Sequence, residues 1–106
     1  MDIHIRELTA HDLSEGFLES LASLAEVRLT PEQALAVLRN RLRAGVRTFV
    51  ARMQGRVVGT ASLVLEQKFI HGGGWVGHIE DVAVQGEFQG RGIGSALVRH
   101  ATEEAR

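Results

Sequence analysis

Hydrophobic and polar residues alternate at the start of the chain and then change to a helical spacing. Residues 3–8, Ile-His-Ile-Arg-Glu-Leu, alternate and predict a first strand. Thr9 follows as a candidate cap for a helix. One apolar stripe at helical spacing predicts that this first helix is continuous. The stripe consists of Leu13, Phe17, Leu21 and Leu24.

A second helix has a clear beginning at Thr30. Thr30 can cap it, Pro31 suits the first helical position, and Gln33 completes a capping box. Gly45 lies where a helix terminator is expected. Positions spaced by four predict the apolar face, namely Ala34, Leu38 and Leu42.

The residues after Gly45 have the pattern of strands. Residues 48–53 and 56–65 are rich in Val, Thr, Phe and Leu, which predicts two strands. Gln54 and Gly55 lie between them, and this dipeptide predicts a tight hairpin turn.

Glycines mark the boundaries of the remaining elements. Three consecutive glycines, residues 72–74, predict a loop before a third such strand, Trp75–Val84, and residues 95–106 predict a final helix. Strands joined by short turns favour an antiparallel sheet with helices packed on its faces. Residues 1–106 are therefore predicted to form one α/β domain with a mixed, mostly antiparallel sheet flanked by helices.

Composition limits the possible functions. The chain is 44% hydrophobic and 24% charged, with 12 basic and 13 acidic residues mixed along it, so no basic stripe predicts nucleic-acid or membrane binding. The sequence has no cysteine, which excludes disulfides, thiolate metal sites and a cysteine nucleophile. The five histidines lack metal-ligand spacing, so no metal is expected. No apolar span or signal peptide is evident, and we expect a cytoplasmic protein.

Residues 89–94, Gln-Gly-Arg-Gly-Ile-Gly, carry the most informative chemistry. They lie between a predicted strand and a predicted helix, where free N–H groups and the helix dipole point at one spot. Arg91 adds a planar cation suited to phosphate. This loop is therefore predicted to bind an anion, namely a pyrophosphate.

Three phosphate-binding patterns compete with an ordinary glycine-rich turn. A P-loop requires Lys after the last glycine, and the dinucleotide fingerprint requires a different glycine spacing and a later acid. The third pattern is Gln/Arg-x-x-Gly-x-Gly/Ala, which Gln89, Gly92 and Gly94 match. It is the acyl-CoA pyrophosphate loop of the GNAT superfamily of N-acetyltransferases, which this chain resembles.

Within this superfamily, the chain most resembles the glucosamine-6-phosphate N-acetyltransferases. Residues 66–71, Glu-Gln-Lys-Phe-Ile-His, and residues 77–84, Gly-His-Ile-Glu-Asp-Val-Ala-Val, are similar to stretches of that family. Shorter similarities are Asp12-Leu13, Gly16-Phe17 and Pro31-Glu32-Gln33. The resemblance implies a GNAT fold and an acetyl-CoA-dependent N-acetyltransferase that acts on the primary amine of an amino sugar.

The resemblance also implies roles for individual residues. Glu80 and Asp81 are the implied substrate-facing and catalytic acids, one of which would take the proton from the amine. Adjacent strand residues point to opposite faces, so both reach one cleft only if a bulge re-aims one of them. The implied acetyl-CoA contacts are Val82, Ala83, Val84, Gln89, Gly90, Arg91, Gly92, Ile93, Gly94 and Ser95.

Three positions depart from the resembled family. Ala25 replaces a Thr that meets the sugar, and Trp75 and Val76 replace basic residues that can meet its phosphate. Arg47 and Lys68 remain as cations, but nothing in the sequence places them at a phosphate. Glucosamine 6-phosphate and unphosphorylated glucosamine both stay open as acceptors, as do another small amine (a polyamine or an aminoglycoside) and a non-catalytic acyl-CoA-binding module.

The resembled enzymes continue beyond the glycine loop and its helix with a parallel strand, a helix and usually a last strand. A Tyr in that part protonates the departing thiolate, and this sequence contains no Tyr. We therefore expect that the 106 residues are the N-terminal two thirds of a domain, completed by more chain or by another polypeptide. A homodimer is expected on the same grounds.

Overall fold

The computed structural model describes residues 2–106, whose strands form one antiparallel sheet in the order β1-β2-β3-β4. The strands are β1 (His4–Glu7), β2 (Val46–Met53), β3 (Arg56–Gln67) and β4 (Trp75–Val84). The helices are α1 (Phe17–Ser20), α2 (Pro31–Arg43), the single turn α3 (Ile70–Gly73) and α4 (Ile93–Glu104), with 3-10 turns at Ala10–Ser14, Leu21–Ser23 and Gly86–Phe88. The α/β class and the antiparallel sheet flanked by helices are confirmed.

Helices cover both faces of this sheet. α4 packs on one face, where Phe49 and Leu63 of the sheet meet Ile93 and Leu97 of the helix in the main core. We call this the α4 face. α2 and the turns before it pack on the other face, the α2 face, where a smaller apolar cluster forms. Its buried members are Leu13, Ala34 and Leu38.

The prediction of one continuous first helix is wrong. The segment is divided into a 3-10 turn, the single-turn helix α1 and a second 3-10 turn. Gly16 interrupts it with a φ of +103°, and a Cβ there would lie 2.6 Å from the carbonyl oxygen of Val57. Leu24, the last member of the predicted stripe, is half exposed. Close approach of the backbone to β3 therefore sets the break.

α2 begins as predicted and differs in its apolar face. Gln33 N donates to the Thr30 hydroxyl at 3.1 Å, while the Gln33 side chain accepts from Thr30 N at 2.9 Å, which is the predicted capping box. Leu42 was predicted to face inward but is 51% exposed. Arg41, three residues after the buried Leu38, faces the sheet instead.

The hairpin between β2 and β3 has the predicted two-residue turn. Met53 pairs with Arg56, and Gln54 and Gly55 between them have φ values of 57° and 78°. These values fit the type I′ turn that matches strand twist. Strand ends differ from prediction by up to two residues, and α4 begins at Ile93, two residues before the predicted start.

A buried carboxylate joins β1 and β2 to the first 3-10 turn. Asp12 is fully buried and accepts from Arg6 at 2.7 and 2.8 Å and from Arg52 at 2.7 Å. Thr9 donates to it from its backbone N–H at 2.8 Å and from its hydroxyl at 3.0 Å. Burial alone would raise the pKa of Asp12, but these hydrogen bonds together hold the pKa well below its ordinary value.

Candidate functional site

The glycine loop forms an open cradle at the beginning of α4. Gly90 and Gly92 both have a φ of +79°, and a Cβ built on either would contact nothing within 4 Å. No side chain among the described residues caps the N-terminus of α4. The cradle opens into a depression of about 310 Å3. Its lining is Val84, Phe88, Gln89, Gly90, Gly92, Ile93, Gly94 and Ser95.

Two predicted cofactor residues of this loop make contacts within the protein. The guanidinium of Arg91 lies 5.4 Å from the centre of the Phe88 ring, and Arg91 does not line the depression. Gln89 Nε2 donates to the backbone oxygen of Val84 at 2.9 Å and so joins the loop to the end of β4. The backbone of the loop therefore provides the donors that face the depression, while Arg91 lies beside it.

A β-bulge in β4 brings the two predicted acids to the same face of the sheet. Ser62 pairs with Glu80 and Thr60 pairs with Ala83, so the single residue Ala61 opposes two residues of β4. Asp81, one of those two, has a φ of 52°. Opposed residues share a face, which places Glu80 beside Ser62 on the α2 face.

Asp81 lines a cavity on the same α2 face. Both acids can reach one cleft only if a bulge re-aims one of them, and the structure contains that bulge. Beyond the bulge, Val82 and Val84 return to the α4 face and pack against its core. A Cβ on Gly94 would lie 3.8 Å from both of these side chains, so the glycine loop and the acids lie on opposite sides of β4.

The cavity on the α2 face, which we call the α2 cavity, has a volume of about 110 Å3. Its polar lining residues are Arg41, Thr48, Thr60, Ser62 and Asp81. The remaining wall is apolar and comprises Leu8, Leu13, Phe17, Leu18, Leu21, Leu29, Ala34, Val37 and Leu38.

Sequence reasoning missed Arg41 as a residue of this cavity. Arg41 follows Ala34 by seven residues and Leu38 by three, which is the inward spacing of a helix. A charged residue at such a position was a usable signal, but the competing choice of Leu42 at a spacing of four hid it.

The cations that sequence analysis considered for a phosphate lie elsewhere. Arg47 pairs with Glu7 and with Glu104 of α4, both at 2.9 Å, on the α4 face. Lys68 lies 3.1 Å from Glu66, which also contacts His78 at 3.0 Å. The hydrogen bond from His78, followed by that from Lys68, lowers the pKa of Glu66.

Two other kinds of site are absent among residues 2–106. No group of three or more histidines, aspartates and glutamates there is arranged to hold a metal ion. No helix in that part of the chain combines the length and apolar character needed to cross a membrane.

Comparison with known proteins adds to this geometry. Residues 7–106 match the model of the acetyltransferase (GNAT) family. A glucosamine 6-phosphate N-acetyltransferase of Trypanosoma brucei brucei is 41% identical over 109 residues, covering 100% of this chain and 74% of the relative. A probable glucosamine 6-phosphate N-acetyltransferase 2 of Oryza sativa subsp. japonica is 35% identical, covering 98% of this chain and 67% of the relative.

Solved structures agree with these relatives. A Trypanosoma brucei acetyltransferase has a TM-score of 0.91 and 42% identity over 99% of this chain and 75% of its own. The glucosamine-6-phosphate N-acetyltransferase of Arabidopsis thaliana has a TM-score of 0.89 and 28% identity over 97% of this chain and 74% of its own. This chain thus spans about three quarters of each. The predicted resemblance is confirmed: the chain belongs to the GNAT family of N-acetyltransferases.

Proposed function

We propose that the chain transfers an acetyl group from acetyl-CoA to the primary amine of an amino sugar, glucosamine 6-phosphate or glucosamine. The β4 bulge is the observation that carries this proposal, because it separates a phosphate-type cradle from a pair of acids across one strand. The relatives named above, which are glucosamine 6-phosphate N-acetyltransferases, support the choice of an amino sugar.

The glycine cradle suits the pyrophosphate of acetyl-CoA. An uncapped helix N-terminus and two glycines with open space over their Cα atoms accept an anion through backbone N–H groups. β4 is an edge strand among residues 2–106, so its outer N–H and C=O groups can pair with the amides of the pantetheine arm. In this arrangement, Val82, Ala83 and Val84 act through their backbone. A backbone donor at the thioester oxygen contributes about 3 kcal/mol to such a transition state.

Glu80 and Asp81 form the acceptor side of the site. An amine must lose a proton to attack the thioester, and the two carboxylates share the α2 face. One carboxylate takes that proton, directly or through water, while the other holds the amine in place. As the amide C–N bond forms, the thioester C–S bond breaks, and CoA leaves as a thiolate that takes up a proton. With the pantetheine arm along the open edge of β4, the thioester can meet the amine that the acids hold, and bringing the two together provides catalysis by proximity.

Charge-neutral variants of the acids test this proposal. Asp81→Asn suits the bulge, because Asn tolerates a positive φ as well as Asp does. We expect Glu80→Gln or Asp81→Asn to lower kcat for amino-sugar acetylation by about 100-fold or more, with acetyl-CoA affinity retained. Glu87→Gln, a change of an exposed acid just after β4, is the matched control. Unchanged turnover in both site variants would contradict the catalytic assignment.

Other outcomes of the same assay distinguish the alternatives. Acetylation of a polyamine or an aminoglycoside in preference to amino sugars would identify another small-amine acetyltransferase. Acetyl-CoA binding without acetylation of any amine would identify a non-catalytic acyl-CoA-binding module.

A homodimer in the cytoplasm is also part of the proposal. Exposed apolar side chains at the β3–β4 hairpin, namely Phe69, Ile70 and Trp75, support a contact between two copies. Light scattering with a Phe69→Ser variant tests it, since a dimer that uses this surface should dissociate. The absence of cysteine is compatible with a reducing compartment.

A further inference from the structure

Arg41 occupies an unusual environment in the α2 cavity. Its Nη2 donates to the Thr48 hydroxyl at 3.1 Å and to the Ser62 hydroxyl at 2.7 Å, and both are neutral groups. No carboxylate oxygen of residues 2–106 lies within 4.0 Å of the guanidinium. A partly buried guanidinium that contacts only neutral groups retains free donors and a positive charge, which together suit an anion.

The groups around Arg41 are hydrogen-bond donors. Its Nε and Nη1 have no acceptor among the described residues, and the hydroxyl hydrogens of Thr48 and Ser62 likewise donate to nothing there. Thr48 and Ser62 are 3% and 4% exposed, so both are aimed into the protein rather than at solvent. A guanidinium fork beside two hydroxyls matches the oxygen atoms of a phosphate.

Asp81 gives the same cavity an acidic group. A ligand that fits both charges carries a cation and an anion at separate positions, as an amino sugar phosphate does with its ammonium and phosphate groups. An apolar cavity of about 150 Å3 holds one benzene molecule. The volume of about 110 Å3 here therefore accommodates one end of such a ligand, with the rest at the mouth of the cavity.

We propose that Arg41 binds the phosphate of a phosphorylated amino sugar and thereby selects it over the unphosphorylated sugar. This inference rests on the proposed amino-sugar acceptor. Trp75 and Val76, which replace basic residues of the resembled family, lie at the far end of β4 and do not line this cavity. Trp75 is six residues from Asp81, about 20 Å along an extended strand, and is too distant to serve the same cavity.

The test compares kcat/KM for two sugars in variants of Arg41 and Arg39, two arginines of α2. Arg41→Met replaces the guanidinium by an apolar side chain that suits the cavity wall, and Arg39→Met changes an exposed arginine of α2 as the matched control. We expect wild type to prefer glucosamine 6-phosphate over glucosamine in kcat/KM by at least 100-fold. Arg41→Met should reduce that preference to within about fivefold by losing activity on the phosphosugar alone, while Arg39→Met should leave it unchanged.

A second variant and a binding measurement distinguish loss of the binding group from loss of the fold. Arg41→Lys retains the charge without the fork and should keep part of the preference, with an unfolding midpoint close to that of Arg39→Met. Calorimetry should show that inorganic phosphate binds wild type at least tenfold more tightly than Arg41→Met.

Failure of the inference about Arg41 and failure of the proposed function would give different results. Equal losses on both sugars in the Arg41 variants, no preference in wild type, or phosphate binding that is independent of Arg41 would each overturn the inference. If wild type acetylates neither sugar, the proposed function fails, and the phosphate measurement still decides the role of Arg41.

Discussion

Gly92→Ala tests the glycine cradle, and Gly45→Ala is its matched control. Gly92 has a φ of +79° and Gly45 a φ of +81°, and an added Cβ at either would meet nothing within 4 Å. An alanine in this left-handed conformation costs about 1–2 kcal/mol. The two variants should therefore lose the same free energy of unfolding, which equilibrium denaturation in urea measures.

The two variants should differ in acetyl-CoA affinity. The Cβ at position 92 enters the space above the cradle at the N-terminus of α4, whereas position 45 lies beyond the C-terminal end of α2. Loss of a hydrogen bond to a charged group costs about 1.5–3 kcal/mol. Gly92→Ala should thus weaken acetyl-CoA binding by about 10- to 100-fold, at 1.4 kcal/mol for each factor of ten. Gly45→Ala should bind with the affinity of wild type.

Calorimetry with acetyl-CoA, performed below the unfolding transition of each variant, measures this difference. Equal affinities for wild type and Gly92→Ala would refute the assignment of the loop as the pyrophosphate site. Equal losses in Gly92→Ala and Gly45→Ala would instead attribute the effect to general destabilisation.

Three further predictions concern stability. Asp12→Asn removes the charge of a fully buried carboxylate that pairs with two partly exposed arginines, Arg6 and Arg52, and should cost about 3 kcal/mol in urea unfolding. Glu15→Gln, at a partly exposed pair with Arg52, should cost less than about 1 kcal/mol. Because the pKa of Asp12 is lowered in the fold, its contribution to the free energy of unfolding is fully present above its ordinary pKa. The free energy of unfolding of wild type should therefore decrease as the pH falls below about 4, and the part of this decrease that Asp12 causes should be missing in Asp12→Asn. Asp81→Gly removes a positive φ from a side-chain-bearing residue and should raise the unfolding midpoint while abolishing acetyl transfer. A lower midpoint or retained activity would contradict this last prediction.

Elements with local signals could be predicted from the sequence. The capping box at Thr30, the hairpin turn at Gln54 and the glycine loop depend on neighbouring residues, and all three are found in the structure. The first helix was mispredicted because Gly16 is fixed by a contact with Val57, 41 positions later in the chain. A helical stripe carries no information about such a distant backbone contact.

The candidate site was only partly predictable for a related reason. The two acids and the glycine loop were recognised as motifs, but the position of the bulge depends on the pairing between β3 and β4. The choice of Leu42 hid the inward position of Arg41, and its neighbours Thr48 and Ser62 come from two other strands, which the sequence does not bring together. A charged residue acquires a binding role only from surroundings that the fold brings together.

The energetics of β4 explain why a bulge occurs at Asp81. In a regular strand, the residue after Glu80 would point to the α4 face, into the core that contains Ala61 and Leu63. An unpaired carboxylate in that apolar environment costs several kcal/mol, whereas a positive φ at Asp81 costs about 1–2 kcal/mol. The bulge is therefore the less costly solution. The bulge also shifts by one residue which side chains face the core. Val82 therefore packs in the core, while both acids remain on the α2 face.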